Sequence, residues 1–410
     1  MFRDVRGKII LSGGRYMAIA DKMINFMERS SWIRKMFEEG AKLKQQYGPE
    51  KVCDFSLGNP DLPPPETFQA ALEKAASDRS PSVHSYMPNA GYPKVRNRIA
   101  EQVTKDHNVA LSADEVIMTC GAAGGLNIIF KALLNPEDEV ITPAPFFVEY
   151  GFYVDNHGGK LVTVPTTESF ALDLEAIEKA ITPKTKAVLI NSPNNPTGVI
   201  YSDEELDSLA ELLAKKGKEL GTTIYLISDE PYRRLVFSGA EVPPILSKYK
   251  ESIVTTSFSK DLSIPGERIG YVAVNPDISN KAQLVGALIL ANRILGFVNA
   301  PALMQRVVAE VTGESVDVSI YEKRRDIFAS ILKEAGFDFV MPEGAFYFFP
   351  KSPLEDDTKF VRLLQEELIL AVPGSGFGCP GHFRIAFCVD DAVIERSREG
   401  FKRAFKAAMS

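Results

Sequence analysis

Four cysteines and four histidines are all that 410 residues offer for zinc ligation or disulfide chemistry. Cys53, Cys120, Cys379 and Cys388 show no CxxC spacing, and His84, His107, His157 and His382 never fall three to five residues apart. Zinc sites and disulfide frameworks need such spacing, so no metal is expected, and the thiols read as small buried hydrophobes in a reducing cytoplasm. Long apolar runs are missing too. The most apolar segment, Gln283 to Met304, contains Asn292, Arg293 and Asn299, which are costly in lipid, and reads as a buried or interface helix. At the N-terminus Ile9-Ile10-Leu11 is short for the apolar region of an export signal and continues into charged, helical sequence, so neither export nor a membrane is expected. Positive charge is not in excess either. A formal net charge of -7 argues against nucleic acid or an acidic membrane as the main partner. With 45% hydrophobic and 25% charged residues, the chain has an ordinary globular make-up, long enough for two lobes, and a small charged metabolite is the partner that fits.

No low-complexity stretch or repeat stands out, so boundaries follow from the rhythm of the elements. Short apolar runs alternate with helical patterns: Glu115 to Thr119, Glu139 to Thr142, Lys160 to Val164, Ala187 to Ile190, Ile224 to Ile227, Ile253 to Thr256 and Ile269 to Val274. These seven runs predict one buried, mostly parallel sheet, with amphipathic pieces such as Asp203 to Leu213 as crossover helices. A long helical stretch from Pro301 to about Ala335 follows. After it come strand-like Ala345 to Phe349 and His382 to Cys388, and helices Thr358 to Glu367 and Asp391 to Ala408. The expected organisation is an N-terminal helical segment (1–55) packing with a small C-terminal α+β domain (301–410), and a large α/β domain (56–300) between them, with a cleft where the lobes meet.

The chemistry gathers where the apolar runs end. Ser257-Phe258-Ser259-Lys260 follows Ile253 to Thr256, with Arg268 shortly after, and open α/β sheets place ligands at such strand ends. Two hydroxyls and a guanidinium beside one amine make a pocket for a phosphate ester next to a group that can form an imine, which suggests pyridoxal 5'-phosphate. Asp229, after Ile224 to Ile227, suits a carboxylate set against a pyridine nitrogen, and Tyr232 could reach the ring's 3-hydroxyl. Asn191-Ser192-Pro193-Asn194-Asn195-Pro196-Thr197-Gly198 is a proline-stiffened loop that would hold an asparagine amide in place. Cys120-Gly121-Ala122-Ala123-Gly124-Gly125 opens a helical stretch, Asn127 to Leu134, whose free N–H groups would receive a phosphate. Phe146 and Phe147 each offer a flat face for a pyridine ring. Arg384, a lone cation in the apolar run Phe383 to Phe387, would take an incoming substrate carboxylate.

Taken together, these motifs resemble the class I aminotransferases of the pyridoxal-phosphate fold type I, in the aspartate aminotransferase superfamily. The order is that of the family: Tyr86 with Asn89-Ala90-Gly91-Tyr92, the Gly121 turn, Asn195 before Pro-Thr-Gly, Asp229, Tyr232, Lys260, Arg268, Gly344-Ala345-Phe346-Tyr347, Pro373-Gly374 and Arg384. The resemblance implies that Lys260 is the Schiff-base lysine, Asp229 the partner of the pyridine nitrogen, and Asn195 and Tyr232 the ligands of the 3-hydroxyl. It implies a phosphate cup of Ser257, Ser259, Arg268, Gly121 and the Ala122 and Ala123 amides, and a stacking ring from Phe147 or Phe146. Tyr86 resembles the tyrosine that reaches the neighbouring subunit's cofactor, which implies a homodimer with shared sites. Arg384 resembles the α-carboxylate clamp, helped by Asn195 and backbone near Gly58.

Implied, too, is a ping-pong transfer from an L-amino acid to a 2-oxo acid through pyridoxamine phosphate, with Lys260 as general base and then acid. Substrate choice stays open at this level. Arg293 lies near where aspartate-specific relatives carry a second cation, whereas Phe297 and Phe346 hint equally at an apolar or aromatic pocket. A C–S β-lyase would use the same Lys260, Asp229 and Arg384. A transcriptional regulator would need an added DNA-binding module, for which no room is expected ahead of Asp54, and a purely binding role would not require Lys260.

Overall fold

All seven apolar runs are strands of one sheet. The computed structural model describes residues 2–3, 9–10, 19–29 and 31–410; the rest of the first 18 residues of the expected N-terminal segment, Leu11 among them, lie outside the described residues. The strands are β1 (Val116–Thr119), β2 (Glu139–Ala144), β3 (Lys160–Pro165), β4 (Thr185–Asn191), β5 (Tyr225–Asp229), β6 (Ser252–Ser257) and β7 (Gly270–Val274). Their spatial order is β1-β7-β6-β5-β4-β2-β3. Every pairing is parallel except the two made by β7, which runs antiparallel to both β1 and β6. The central strands are apolar on both faces because helices cover both. Val188, Leu189, Leu226, Ile227, Ile253 and Val254 are all buried, each stabilising the fold by about 1.5–3 kcal/mol.

Local chemistry sets where the covering helices begin and end. Asp203–Leu220 starts at a capping box, in which the Ser202 hydroxyl accepts from the Glu205 N–H while Glu205 accepts from the Ser202 N–H, and it stops at Gly221, with φ +64°. The expected long stretch from Pro301 is two helices, Ala302–Glu310 and Val318–Ala335. Gly313, at φ +94°, turns the chain, and Asp317 caps the second helix through the Ser319 N–H. Likewise Asp391 to Ala408 divides at Ser397, whose hydroxyl donates to the Ile394 carbonyl.

A second core forms around the C-terminal part of the chain. The strands β8 (Tyr347–Phe348), β9 (Val372–Pro373) and β10 (Phe383–Ala386) make a small antiparallel sheet. It packs against Val318–Ala335 through Phe348 on Phe328, 5.9 Å between centroids, and the same core holds Phe337 on Phe405 and Phe55 on Phe328, each pair 4.9 Å apart and edge to face. Ser31–Tyr47 reaches this core, with Leu43 packed on it and Gln365 donating to Glu39. Asp21–Arg29 turns the other way, Phe26 meeting Phe152. No helix among the described residues is long and apolar enough to cross a membrane.

Candidate active site

The parallel strands β1, β2, β4, β5 and β6 all end at one edge of the sheet, and the reversed strand β7 begins there: Gly270 pairs with Thr119 on one side and Ser257 on the other. That reversal brings Arg268 beside residues that are distant in sequence. A cleft of about 410 Å³ opens at this edge, within the range of small-molecule sites. Its walls include Gly58, Ala122, Ala123, Phe147, Asn195, Asp229, Tyr232, Ser257, Ser259, Lys260, Arg268 and Arg384.

Asp229 is the last residue of β5. Its Oδ2 accepts a 2.6 Å hydrogen bond from the Tyr150 hydroxyl, while its buried Oδ1 has no partner. Burial pushes this carboxyl up to about 7; the Tyr150 bond opposes the shift and the Glu230 charge adds to it. The next residue faces away from the cleft. Burial works against charge at Glu230 as well, yet Arg233 at 3.0 Å and His107 at 3.4 Å hold it at about 2. One carboxyl is thus consumed by structure and its neighbour is left with a free oxygen. Asn191 joins two walls, its Nδ2 donating to the Asp229 carbonyl at 2.7 Å and its Oδ1 accepting from the Asn195 N–H at 2.7 Å.

Lys260 lies just past β6 at the sheet edge, and its Nζ donates to the Gly58 carbonyl at 2.7 Å. Burial lowers it to about 8; the Cys388 thiol opposes this, and the Arg384 and Arg268 charges reinforce it. Gly58 has to be glycine, because a Cβ there would lie 1.9 Å from the Tyr347 hydroxyl. On the opposite wall the helix Gly121–Leu133 begins directly after β1, earlier than the expected Asn127, so Ala122 and Ala123 sit in its first turn. Gly121 itself, at φ +71°, lies against Arg268 rather than on the cleft wall; a Cβ there would be 3.0 Å from Nη2. Arg268 is left-handed at φ +50° and is steadied by donation from Nη1 to the Pro265 carbonyl at 2.8 Å. Two arginine-flanked hydroxyls and a helix start therefore converge on one end of the cleft.

Arg384, buried in β10, has only neutral partners among the described residues. Nη1 donates to Asn195 Oδ1 at 3.2 Å, Nη2 donates to the Ser56 carbonyl at 2.6 Å, and Nε is unsatisfied. Its guanidinium plane lies 4.8 Å from the ring centres of both Tyr347 and Phe377. Tyr347 in turn shares a 2.8 Å hydrogen bond with the Tyr232 hydroxyl. Phe147 faces the cleft, whereas Phe146 packs toward Gly378.

Several expected residues lie elsewhere. Tyr86, 89% exposed, and Arg293, exposed near the end of Lys281–Ile294, do not line this chain's own cleft. Phe346 is fully buried in the second core, its ring centre 5.6 Å from Lys260 Nζ, and Phe297 packs toward Gly124; neither lines this chain's own cleft. Tyr150, Tyr153 and Phe377 line the cleft and the Ser56 carbonyl accepts from Arg384, contacts that sequence reasoning missed. Tyr150 carried one signal, its place three residues after Phe147 in the short helix Glu149–Asp155 that follows a buried strand. Tyr347 was seen only as part of a motif.

The unpaired Asp229 oxygen, the amine of a lysine lowered to about 8, and the hydroxyl and arginine cradle fit the ring nitrogen, carbonyl and phosphate of pyridoxal 5'-phosphate. Among the described residues no cluster of side chains could hold a metal ion. Residues 50–401 match the family model "Aminotransferase class I and II". A probable aspartate/prephenate aminotransferase of Aquifex aeolicus is 35% identical over 371 residues, covering 87% of this chain and 91% of the relative. The aspartate aminotransferase of Bacillus subtilis is 33% identical, covering 86% and 91%. Among solved structures, an amino transferase from Eubacterium rectale superposes with a TM-score of 0.93 at 40% identity, covering 96% of this chain and all of the other. Fold, cleft and likeness agree: the chain belongs to the class I and II aminotransferases, transferases that use pyridoxal 5'-phosphate as cofactor.

Proposed function

We propose that the protein moves an amino group from an L-amino acid to a 2-oxo acid by a ping-pong route, with Lys260, Asp229 and Arg384 as its working groups. The observation that carries this reading is their convergence: a buried amine, a carboxyl with a free oxygen, and a guanidinium lacking a carboxylate partner line one cleft. Bound pyridoxal 5'-phosphate supplies an electron-withdrawing ring that makes the donor's Cα–H acidic. Lys260 Nζ takes that proton, and lowering its pKa from 10.5 to about 8 enlarges the neutral fraction that can act as a base at neutral pH. Asp229 holds a proton on the ring nitrogen, with Tyr150 orienting the carboxyl. Asn195 and Tyr232 would hold the 3-hydroxyl, Phe147 would offer its face to the ring, and Ser257, Ser259, Arg268 and the Ala122 and Ala123 amides would hold the phosphate. Arg384 clamps the substrate α-carboxylate while Asn195, Gly58 and the Ser56 carbonyl fix its direction.

The test is the absorption spectrum of the purified holoenzyme on addition of single L-amino acids. One of them should convert the cofactor band, and a 2-oxo acid should restore it; pyruvate formed without a 2-oxo-acid acceptor would replace this reading with lyase chemistry. Donors to try include aspartate, named for the relatives, and the aromatic amino acids. Arg384→Ala is expected to lower kcat/KM by about 10²-fold or more, mainly through KM, because a substrate carboxylate would lose its charged, bidentate partner.

The same reading includes a homodimer in the cytoplasm, with Tyr86 serving the neighbour's site. Its support is the exposure of Tyr86, Leu290 and Ile294, large side chains left uncovered in the single chain. Light scattering should give twice the chain mass. The proposed division into 56–300 and 301–410, with 1–55 joining the latter, is supported by the second core only in part. That core takes in Val52, Cys53 and Phe55 and the chain from Val316, whereas Ala302–Glu310 packs on the first core through Met304, Val307 and Val308, and Asp21–Arg29 meets Phe152.

A further inference from the structure

Tyr347, buried in β8, touches three working parts of the cleft without a role of its own in the reaction. Its ring centre is 4.8 Å from the Arg384 guanidinium, and its hydroxyl shares a 2.8 Å hydrogen bond with the Tyr232 hydroxyl. Its tip also lies against Gly58, whose carbonyl anchors Lys260. Gly58 is outside the left-handed region, so its backbone does not call for glycine; the Tyr347 phenol fills the space a Cβ would take. Both tyrosines line the cleft, Tyr232 three residues past Asp229. Burial pushes Tyr347 up to about 12 and Tyr232 well above its usual value, so both phenols keep their protons in the working range. Neither hydroxyl bonds to any other described residue. One proton therefore lies between the two oxygens and the second is uncommitted.

Which oxygen donates decides what Tyr232 can do. If Tyr232 gives its proton to Tyr347, none is left for a cofactor oxygen. With Tyr347 as the donor, the Tyr232 proton is free to point into the cleft, and a hydroxyl that accepts one hydrogen bond donates a stronger one. We propose that Tyr347 is a positioning residue for the cofactor's 3-oxygen: its hydroxyl donates to Tyr232, which aims the Tyr232 proton into the cleft and strengthens the bond made there. This rests on the reading of Tyr232 as a ligand of that oxygen. A donor on the 3-oxygen stabilises its negative charge, so weakening that donor lets the bound cofactor keep its titrating proton to higher pH.

The readout is the pH midpoint of the holoenzyme's cofactor absorption band, recorded without substrate for wild type, Tyr347→Phe, Tyr232→Phe and the double variant. Phenylalanine keeps a ring beside Arg384 and Gly58 and deletes only the hydroxyl. Tyr347→Phe should raise the midpoint by about 0.5 unit and Tyr232→Phe by about 1 unit or more. The double variant should match Tyr232→Phe, because Tyr347 acts only through Tyr232. Calorimetry on the cofactor-free proteins repeats the cycle without a bond to Lys260: pyridoxine 5'-phosphate, which keeps the 3-hydroxyl but lacks the aldehyde, should bind about threefold weaker to Tyr347→Phe, and equally to Tyr232→Phe and the double variant. The proposal is overturned if Tyr347→Phe moves the midpoint by less than about 0.2 unit, or if its effect persists undiminished in the Tyr232→Phe background, as a merely structural tyrosine would have it. Should Tyr232→Phe itself leave the midpoint in place, the assignment of Tyr232 to the 3-oxygen has failed and the role of Tyr347 falls with it.

Discussion

Replacing Lys260 by alanine should lower kcat by about 10⁴-fold or more, the upper range for loss of a positioned general base, with the deficit persisting at saturating donor. The physical reason is the amine's setting. Burial and two nearby guanidiniums hold Lys260 near 8, and its Nζ is anchored on the Gly58 carbonyl, so no other described side chain can deliver a neutral amine to the same point. The phosphate cradle is untouched by the substitution, so the variant should still bind cofactor, but without the covalent absorption band. A variant that keeps the band and a tenth or so of the activity would show that the amine acts elsewhere.

Asp229→Asn should lower kcat by about 10²–10³-fold while leaving donor affinity nearly unchanged, because it removes the charge that stabilises a protonated ring without touching Arg384. The same change has a measurable effect on the cofactor-free protein, with the opposite sign. Asp229 is raised from 3.8 to about 7 by burial, so between those values the folded state binds more protons than the unfolded one and stability falls as pH rises. Asparagine cannot ionise and lacks that slope. At pH 8 the cofactor-free variant should therefore melt at or above the wild-type temperature, although its holoenzyme is crippled. A loss of stability at pH 8 together with normal kcat would make Asp229 a structural carboxyl like Glu230.

Much of the site was legible because strand ends carry unusual residue sets. Lys260 with its flanking serines, Asp229, and Asn195 between prolines are each confined to a short window, and chemistry that depends on neighbours in sequence can be read from sequence. The contacts that select among roles were not. Nothing in the chain order says that Glu230 would be spent on Arg233 and His107 while Asp229 keeps a bare oxygen, or that Tyr150, 79 residues earlier, would orient it. Phe146 and Phe147 were equivalent until the fold turned one ring to Gly378 and the other to the cleft. Breaks within the long helical stretches were missed because periodicity is blind to one glycine at positive φ or one serine bonding back to a carbonyl.

By itself the sequence determined the seven strands and the burial of six of them, since such apolar runs are covered on both faces, and it placed reactive groups at the strand ends; only Val164 is buried in the edge strand β3. Tertiary structure alone decided which of those ends meet. Reversal of β7 set Arg268 beside Ser257 and Gly121, and β10 carried Arg384 across to Asn195 and Ser56, 189 and 328 residues away. A strand's direction and its neighbours are chosen by the packing of whole layers, a property of the closed sheet and its covering helices that no local window of residues contains.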